Sequence, residues 1–184
     1  MLAKANSSCL IIMNVQNEII PSLRDGQQMV SDCCWLSELA SEVGIPTIFA
    51  NHRSLGNIVE SVENAAKNPI ITEVVNFSIL QNDEASKIIR DLGKKHIILA
   101  GCEAHISIYQ SAIDFKDQGY EVFVISNAIT SRNEFDVNMF KNRCLQLGMH
   151  LVSKEMIFCA LLKGTDYPNF GDLCIKFLGH KVYC

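Results

Sequence analysis

The 184-residue chain has no apolar span of 18 residues, so nothing in it reads as a bilayer-crossing helix. Its first aliphatic run, in MLAKANSSCLIIMNV, is short and contains Asn14, which suits a buried strand better than a secretory signal. A cytoplasmic protein is the default expectation, with organelle import left open. There is no dense Lys/Arg block, no interleaving of aromatic and basic residues, and the formal charge is -4. A general nucleic-acid surface is therefore not expected. Eight cysteines, at 9, 33, 34, 102, 144, 159, 174 and 184, lack the paired spacing of a zinc or iron-sulfur site. They read mostly as buried free thiols, with Cys184 a terminal one. No HExxH, GxGxxG or GxxxxGK[ST] pattern is present, which removes the usual zincin, dinucleotide and P-loop signatures. Internal repeats and low-complexity linkers are missing too, so residues 1–184 read as one domain.

What is present is alternation. Short aliphatic runs at Cys9–Val15, Pro46–Ala50, His96–Ala100 and Glu121–Ile125, with weaker ones at Pro69–Thr72 and His150–Ser153, are predicted strands. Several lack polar alternation, as expected of parallel strands buried on both sides. Between them, Gln28–Val43, Asp83–Asp91, the segment from Ala104 to before Gly119, and Asn133–Leu147 carry helical spacing and stop near glycine. The order is β/α repeated, and the expected fold is an α/β sandwich with a mostly parallel sheet. The tail from Tyr167, with Phe170, Leu173, Phe177 and Leu178, is either a covering helix or part of a subunit contact. Met156, Phe158, Leu161 and Leu162 are either core groups or an association surface.

Open α/β sheets bind ligands beyond the carboxyl ends of their strands. That rule gathers Asn14–Asn17, Asn51–Arg53, the segment after Thr72 and Gly101–Ser107 at one edge. Ser107, in GCEAHISIYQSA, could be a nucleophile or a helix-start residue. His105 lies two positions earlier, where helical residues do not face each other, and His52 approaches only if its strand end lies near. Glu103 is either a pocket acid or a first-turn acid favoured by the helix field. Cys102 is either a packed thiol or a reactive one. A zinc site from His52 and His105 is permitted by topology but not indicated by spacing, and no metal or cofactor is expected.

The segments CLIIMNVQNEI, ITEVVNFSIL, GCEAHISIYQSAIDFKDQGYEVFVISNAITSR and SKEMIFCALLKGTDYPNF together resemble the isochorismatase-like family of cysteine hydrolases, in its branch of small isochorismatase-domain proteins. The resemblance implies a three-layer sandwich, a homo-oligomer and a hydrolytic aspartate, lysine and cysteine. On the family's patterns, MNVQN puts Asn14 at the aspartate's place. EVVNFS puts Val74 at the lysine's, and GCEAHIS puts Ser107 at the cysteine's. The resemblance also implies a cis peptide after Cys102. An amide cannot act as a carboxylate base, valine carries no charge, and serine ionises far less readily than cysteine. The expected function is therefore a homologue with absent or strongly reduced thiol hydrolysis, retaining small-molecule binding or an assembly role. A hydrolase of small amides, esters or enol ethers using Ser107 or Cys102, and a purely structural role, are the alternatives. Gln16, His52, Phe77, Cys102 and Glu103 are the ligand-binding candidates.

Overall fold

The computed structural model describes residues 1–180, and Cys184 lies outside them. Six strands form one sheet: β1 (Ser8–Met13), β2 (Thr47–His52), β3 (Ile70–Val74), β4 (His96–Cys102), β5 (Glu121–Thr130) and β6 (His150–Val152). Their order is β3-β2-β1-β4-β5-β6, and every pairing is parallel.

Burial on both faces explains the unalternated strands. All six residues of β1 are buried. Leu10 and Ile12 face α1 (Gly26–Glu42), α2 (Glu60–Ala65), α6 (Lys154–Leu162) and α7 (Phe170–Leu178), through Leu36, Val62, Phe158 and Phe177 among others. Cys9, Ile11 and Met13 face α3 (Asp83–Asp91), α4 (Tyr109–Asp117) and α5 (Glu134–Gln146), through Ile89, Phe115 and Phe140 among others. The expected three-layer sandwich is the observed one.

The tail is a covering helix. Leu173, Cys174 and Phe177 are buried, and Trp35 Nε1 donates to the Phe177 carbonyl at 2.8 Å while its ring meets that of Phe177 edge-on. On α6, Phe158, Leu161 and Leu162 belong to the core, whereas Met156 is exposed. Strand β5 runs on to Thr130 through a register shift opposite Leu99 and Gly101, which carries Ser126 and Asn127 inside it. The seven described cysteines are all free.

The chain builds outward from β1 through β2 to β3, then returns to β4 on the other side and continues to β6. The direction of winding reverses between β1 and β4, the topological switch point at which such sheets take their ligands. Close approach of these two strands depends on Gly101. Its φ is +112°, and a Cβ there would stand 2.1 Å from the carbonyl oxygen of Met13.

Candidate functional site

Asn14, the residue after β1, has a φ of 57°, a left-handed conformation that asparagine tolerates better than most side chains. Its backbone N–H donates to the Ala50 carbonyl, and its own carbonyl accepts from the Gln16 N–H and, at 3.1 Å, from the Cys102 thiol. The backbone thus turns the side chain toward β4. There Nδ2 donates to Ser107 Oγ at 2.9 Å. Both residues are buried, and Asn14 Oδ1 has no partner.

Ser107 arrives from the other side of the switch point. Strand β4 ends at Cys102, the Cys102–Glu103 peptide is cis, and residues Ala104–Ile108 form a π-helical turn before α4 begins. Helical spacing places Ala104 at the start of an ordinary helix; the wider turn is set by packing against neighbouring chain. Ser131, fully buried, accepts the Ala104 N–H at 3.1 Å and stands 3.0 Å from His105 Nδ1. The Arg132 guanidinium pairs with Glu103 at 2.5 Å, leaving the other buried oxygen of Glu103 unpartnered, 3.5 Å from His105 Nδ1. His105 Nε2 lies 3.8 Å from Asp136.

Both ring nitrogens of His105 are thus directed to Ser131, Glu103 and Asp136, and neither serves Ser107. His52 is not brought to Ser107 or to His105. Its Nδ1 accepts from the Ser54 N–H and lies 2.8 Å from Ser54 Oγ, while Nε2 faces the Val75 carbonyl at 3.2 Å. No group of three or more metal-ligating side chains occurs among the described residues.

Cys102 is fully buried, and burial, reinforced by the neighbouring Glu103 charge, pushes its thiol pKa well above the ordinary cysteine value. Val74, on β3 opposite His52, lies in the apolar cluster with Met13, Ala50, Ile79, Ala104 and Ile108. No charge reaches the Asn14–Ser107 pair from that position. Phe77 is 53% exposed beside an equally exposed Val75, on the surface of the loop after β3.

Gln16, a ligand-binding candidate from the sequence, lines a cleft and ties two loops together. Its amide is consumed internally, accepting from the His52 N–H and donating to the carbonyls of His52 and Gly56 at 2.5–2.9 Å. With the Asn17 N–H donating to Asn57 and the Val59 N–H to Val15, it stitches the loop after β2 to the loop after β1. The result is the wall of an open cleft of about 680 Å³ at the ends of β2 and β3. Gln16, Asn17, Asn51, His52 and Asn57 line it together with Glu60, Glu63 and the paired Arg53 and Glu73. The sequence pointed to Gln16 and His52 but missed Glu60 and Glu63, because the six-residue α2 is too short to give a periodic signal. Ser131 and Arg132 sit within the long motif segment that ends ITSR, without a pattern of their own.

A parallel three-layer sandwich with a polar pair at the β1/β4 switch point defines a doubly wound α/β protein. Residues 8–156 match the Isochorismatase domain, and the chain belongs to the isochorismatase family, whose members are usually hydrolases. It is 26% identical over 186 residues to isochorismatase family protein 2A of Dictyostelium discoideum, covering 95% of this chain and 93% of that protein. It is 25% identical over 175 residues to isochorismatase domain-containing protein 2 of Danio rerio, covering 94% and 87%. Among solved structures, the MAR1 ribonuclease of Caenorhabditis elegans superposes with a TM-score of 0.90 at 23% identity, over 97% of this chain and 93% of that one. YcaC of Escherichia coli, described as an octameric hydrolase of unknown specificity, superposes with a TM-score of 0.89 at 19% identity, over 97% and 92%. What these two structures share with the present chain is the fold.

Proposed function

We propose that this chain is an isochorismatase-family protein that has given up thiol-based hydrolysis and works by binding a polar small molecule. The observation that carries the proposal is the 2.9 Å bond in which Asn14 Nδ2 donates to Ser107 Oγ. A hydrolytic nucleophile at that place needs a neighbour that removes its proton, and the amide of Asn14 has no site that can take it up. With Val74 in an apolar cluster, no cation at that position steadies an oxyanion. Cys102 offers no way round, since a fully buried thiol with a raised pKa stays protonated at neutral pH.

The cleft at the ends of β2 and β3 is the binding site in this reading, because its walls are cross-stitched by Gln16 and are rich in hydrogen-bonding groups. The octameric state of YcaC supports a homo-oligomer here. The ribonuclease activity in the name of the worm neighbour is not carried over: a cleft lined by Glu60, Glu63 and Glu73 repels a phosphate backbone. No described helix is long and apolar enough to cross a membrane; a cytoplasmic location belongs to the same proposal.

The test is incubation of the purified protein with a broad panel of small amides, esters and enol ethers, followed by product analysis and intact-protein mass spectrometry. The expected result is no turnover and no adduct at Ser107 or Cys102. An adduct at either residue that forms in step with turnover, and disappears when that residue is substituted, overturns the proposal.

A further inference from the structure

Helix α5 turns Phe140 and Cys144 to the core, and its opposite side carries Phe135, Asn138, Asn142 and Leu145, all exposed and spaced three, four and three apart along one stripe. We infer that this stripe is the contact between two copies of the chain, with their α5 helices packed antiparallel across a two-fold axis. The inference rests on the homo-oligomer proposed above and says which face makes it. Phe135 is 66% exposed and Leu145 61%. With Met139 beside them and Leu147 just past the helix, they make up four of the eleven large exposed apolar side chains among the described residues.

Surface helices ordinarily present charge to water, and this stripe carries none. Glu134, Asp136, Lys141 and Arg143 flank it instead, and three of them are engaged within their own chain. Arg24 pairs with Glu134 at 3.1 Å, Asp136 lies 3.8 Å from His105 Nε2, and Arg143 donates to Gln146 at 2.8 Å. The spacing of the stripe reads the same in both directions, and so does its chemistry: apolar, amide, amide, apolar. A two-fold axis at the level of residue 140 therefore brings Phe135 onto the partner's Leu145 and Asn138 onto the partner's Asn142, each contact occurring twice. The amides, each both donor and acceptor, match one another. An unrelated protein has no need of that symmetry, whereas a second copy requires it. Met139, nearest the axis, lines a hollow of about 210 Å³ with His105, Tyr109, Phe140 and Arg143. Association lays the partner's Met139 over its mouth and shields His105, which Ser131 ties into the turn carrying Ser107.

The experiment is sedimentation velocity on the full chain over a range of concentrations. The parent is expected at an even multiple of the monomer mass. Phe135→Glu and Leu145→Lys are each expected to weaken association by about thirtyfold or more, because each puts an unpaired charge into both symmetry-related contacts. The two substitutions together set opposite charges across the axis and are expected to restore much of the association, a gain that misfolding cannot produce. A monomeric parent overturns this inference and the homo-oligomer together. An odd-numbered assembly, one indifferent to either single variant, or a double variant that associates no better than the singles overturns the α5 contact and leaves the homo-oligomer standing.

Discussion

Asn14 and Ser107, 93 residues apart in the chain, meet across the β1/β4 switch point, and the amide is the donor and the hydroxyl the acceptor. An amide takes up no proton at neutral pH, so this partner cannot serve Ser107 as a base. A catalytic pair would run the other way, with the residue at position 14 taking the proton of the residue at 107. Asn14 Oδ1 is buried with no hydrogen-bond partner among the described residues.

Asn14→Asp alone is expected to destabilise rather than activate. The new carboxylate exchanges its donation to Ser107 for one accepted from that hydroxyl and sits buried with no cation at position 74, a cost of about 1–3 kcal/mol at neutral pH. Burial raises the pKa of such a group above its unfolded value, so the unfolded chain releases the proton first and the penalty grows as pH rises. Denaturant titrations at pH 5 and pH 8 check this; a variant as stable as the parent at pH 8 would contradict it.

Gly101→Ala is expected to prevent folding or cost about 3 kcal/mol or more, because the new methyl collides with the Met13 carbonyl in a conformation that side chains avoid. Gly44 also has a positive φ, +69°, but a Cβ there would meet nothing within 4 Å. Gly44→Ala therefore carries only the backbone term of roughly 1–2 kcal/mol. Thermal midpoints of the two variants measure the difference, and equal losses would refute the steric argument.

Lys154→Met tests the tie between α6 and α1. Lys154 Nζ pairs with Asp32, whose side chain is only 4% exposed, and lies 5.2 Å from the centre of the Trp35 ring. Removing the cation strands a buried carboxylate, at an expected cost of about 3 kcal/mol. Adding Asp32→Asn to the same chain is expected to recover part of that loss. A double variant less stable than Lys154→Met would show that Asp32 is not the group left stranded.

Stability is expected to fall on mild acidification through His96. Its buried Nδ1 accepts the Lys4 backbone N–H at 3.1 Å, its ring lies 5.5 Å from that of Phe123, and Glu121, His150 and Lys4 are the charged or titratable neighbours. Burial, against an opposing pull from Glu121, holds its pKa below the ordinary 6.5. The unfolded chain therefore takes up a proton first, and the contribution of His96 is lost as pH falls from about 6.5 toward the lower folded value. His96→Asn, which keeps an acceptor but no titration, is expected to flatten the decline in urea midpoint between pH 7.5 and 5.5. An undiminished slope would assign the effect elsewhere.

The sequence made the sheet legible because β1, β2, β4 and β5 are nearly continuous aliphatic runs, a pattern that two-sided burial imposes. Helix α3 was legible to its ends, with Asn82 capping Ala85 and Gly93 following. Elements set by tertiary contact were not. The π turn at Ala104–Ile108 depends on Ser131, α2 has only Val62 buried, and the far end of β5 lies beyond a bulge that local pattern cannot foresee. At the site, motif position brought Asn14 to Ser107 but gave neither the direction of their hydrogen bond nor Glu60 and Glu63 of the cleft, which stand on α2. Phe77 reads as a pocket residue in the motif and lies on the surface because Val74 and Ile79 on either side take the buried places.

Turnover by Ser107→Cys, measured over the same panel of amides, esters and enol ethers as the parent, tests the central claim most directly. With Asn14 still donating and Val74 still apolar, the introduced thiol is expected to leave the protein without measurable hydrolysis. Robust turnover from that single substitution would show that the supporting chemistry had never been lost.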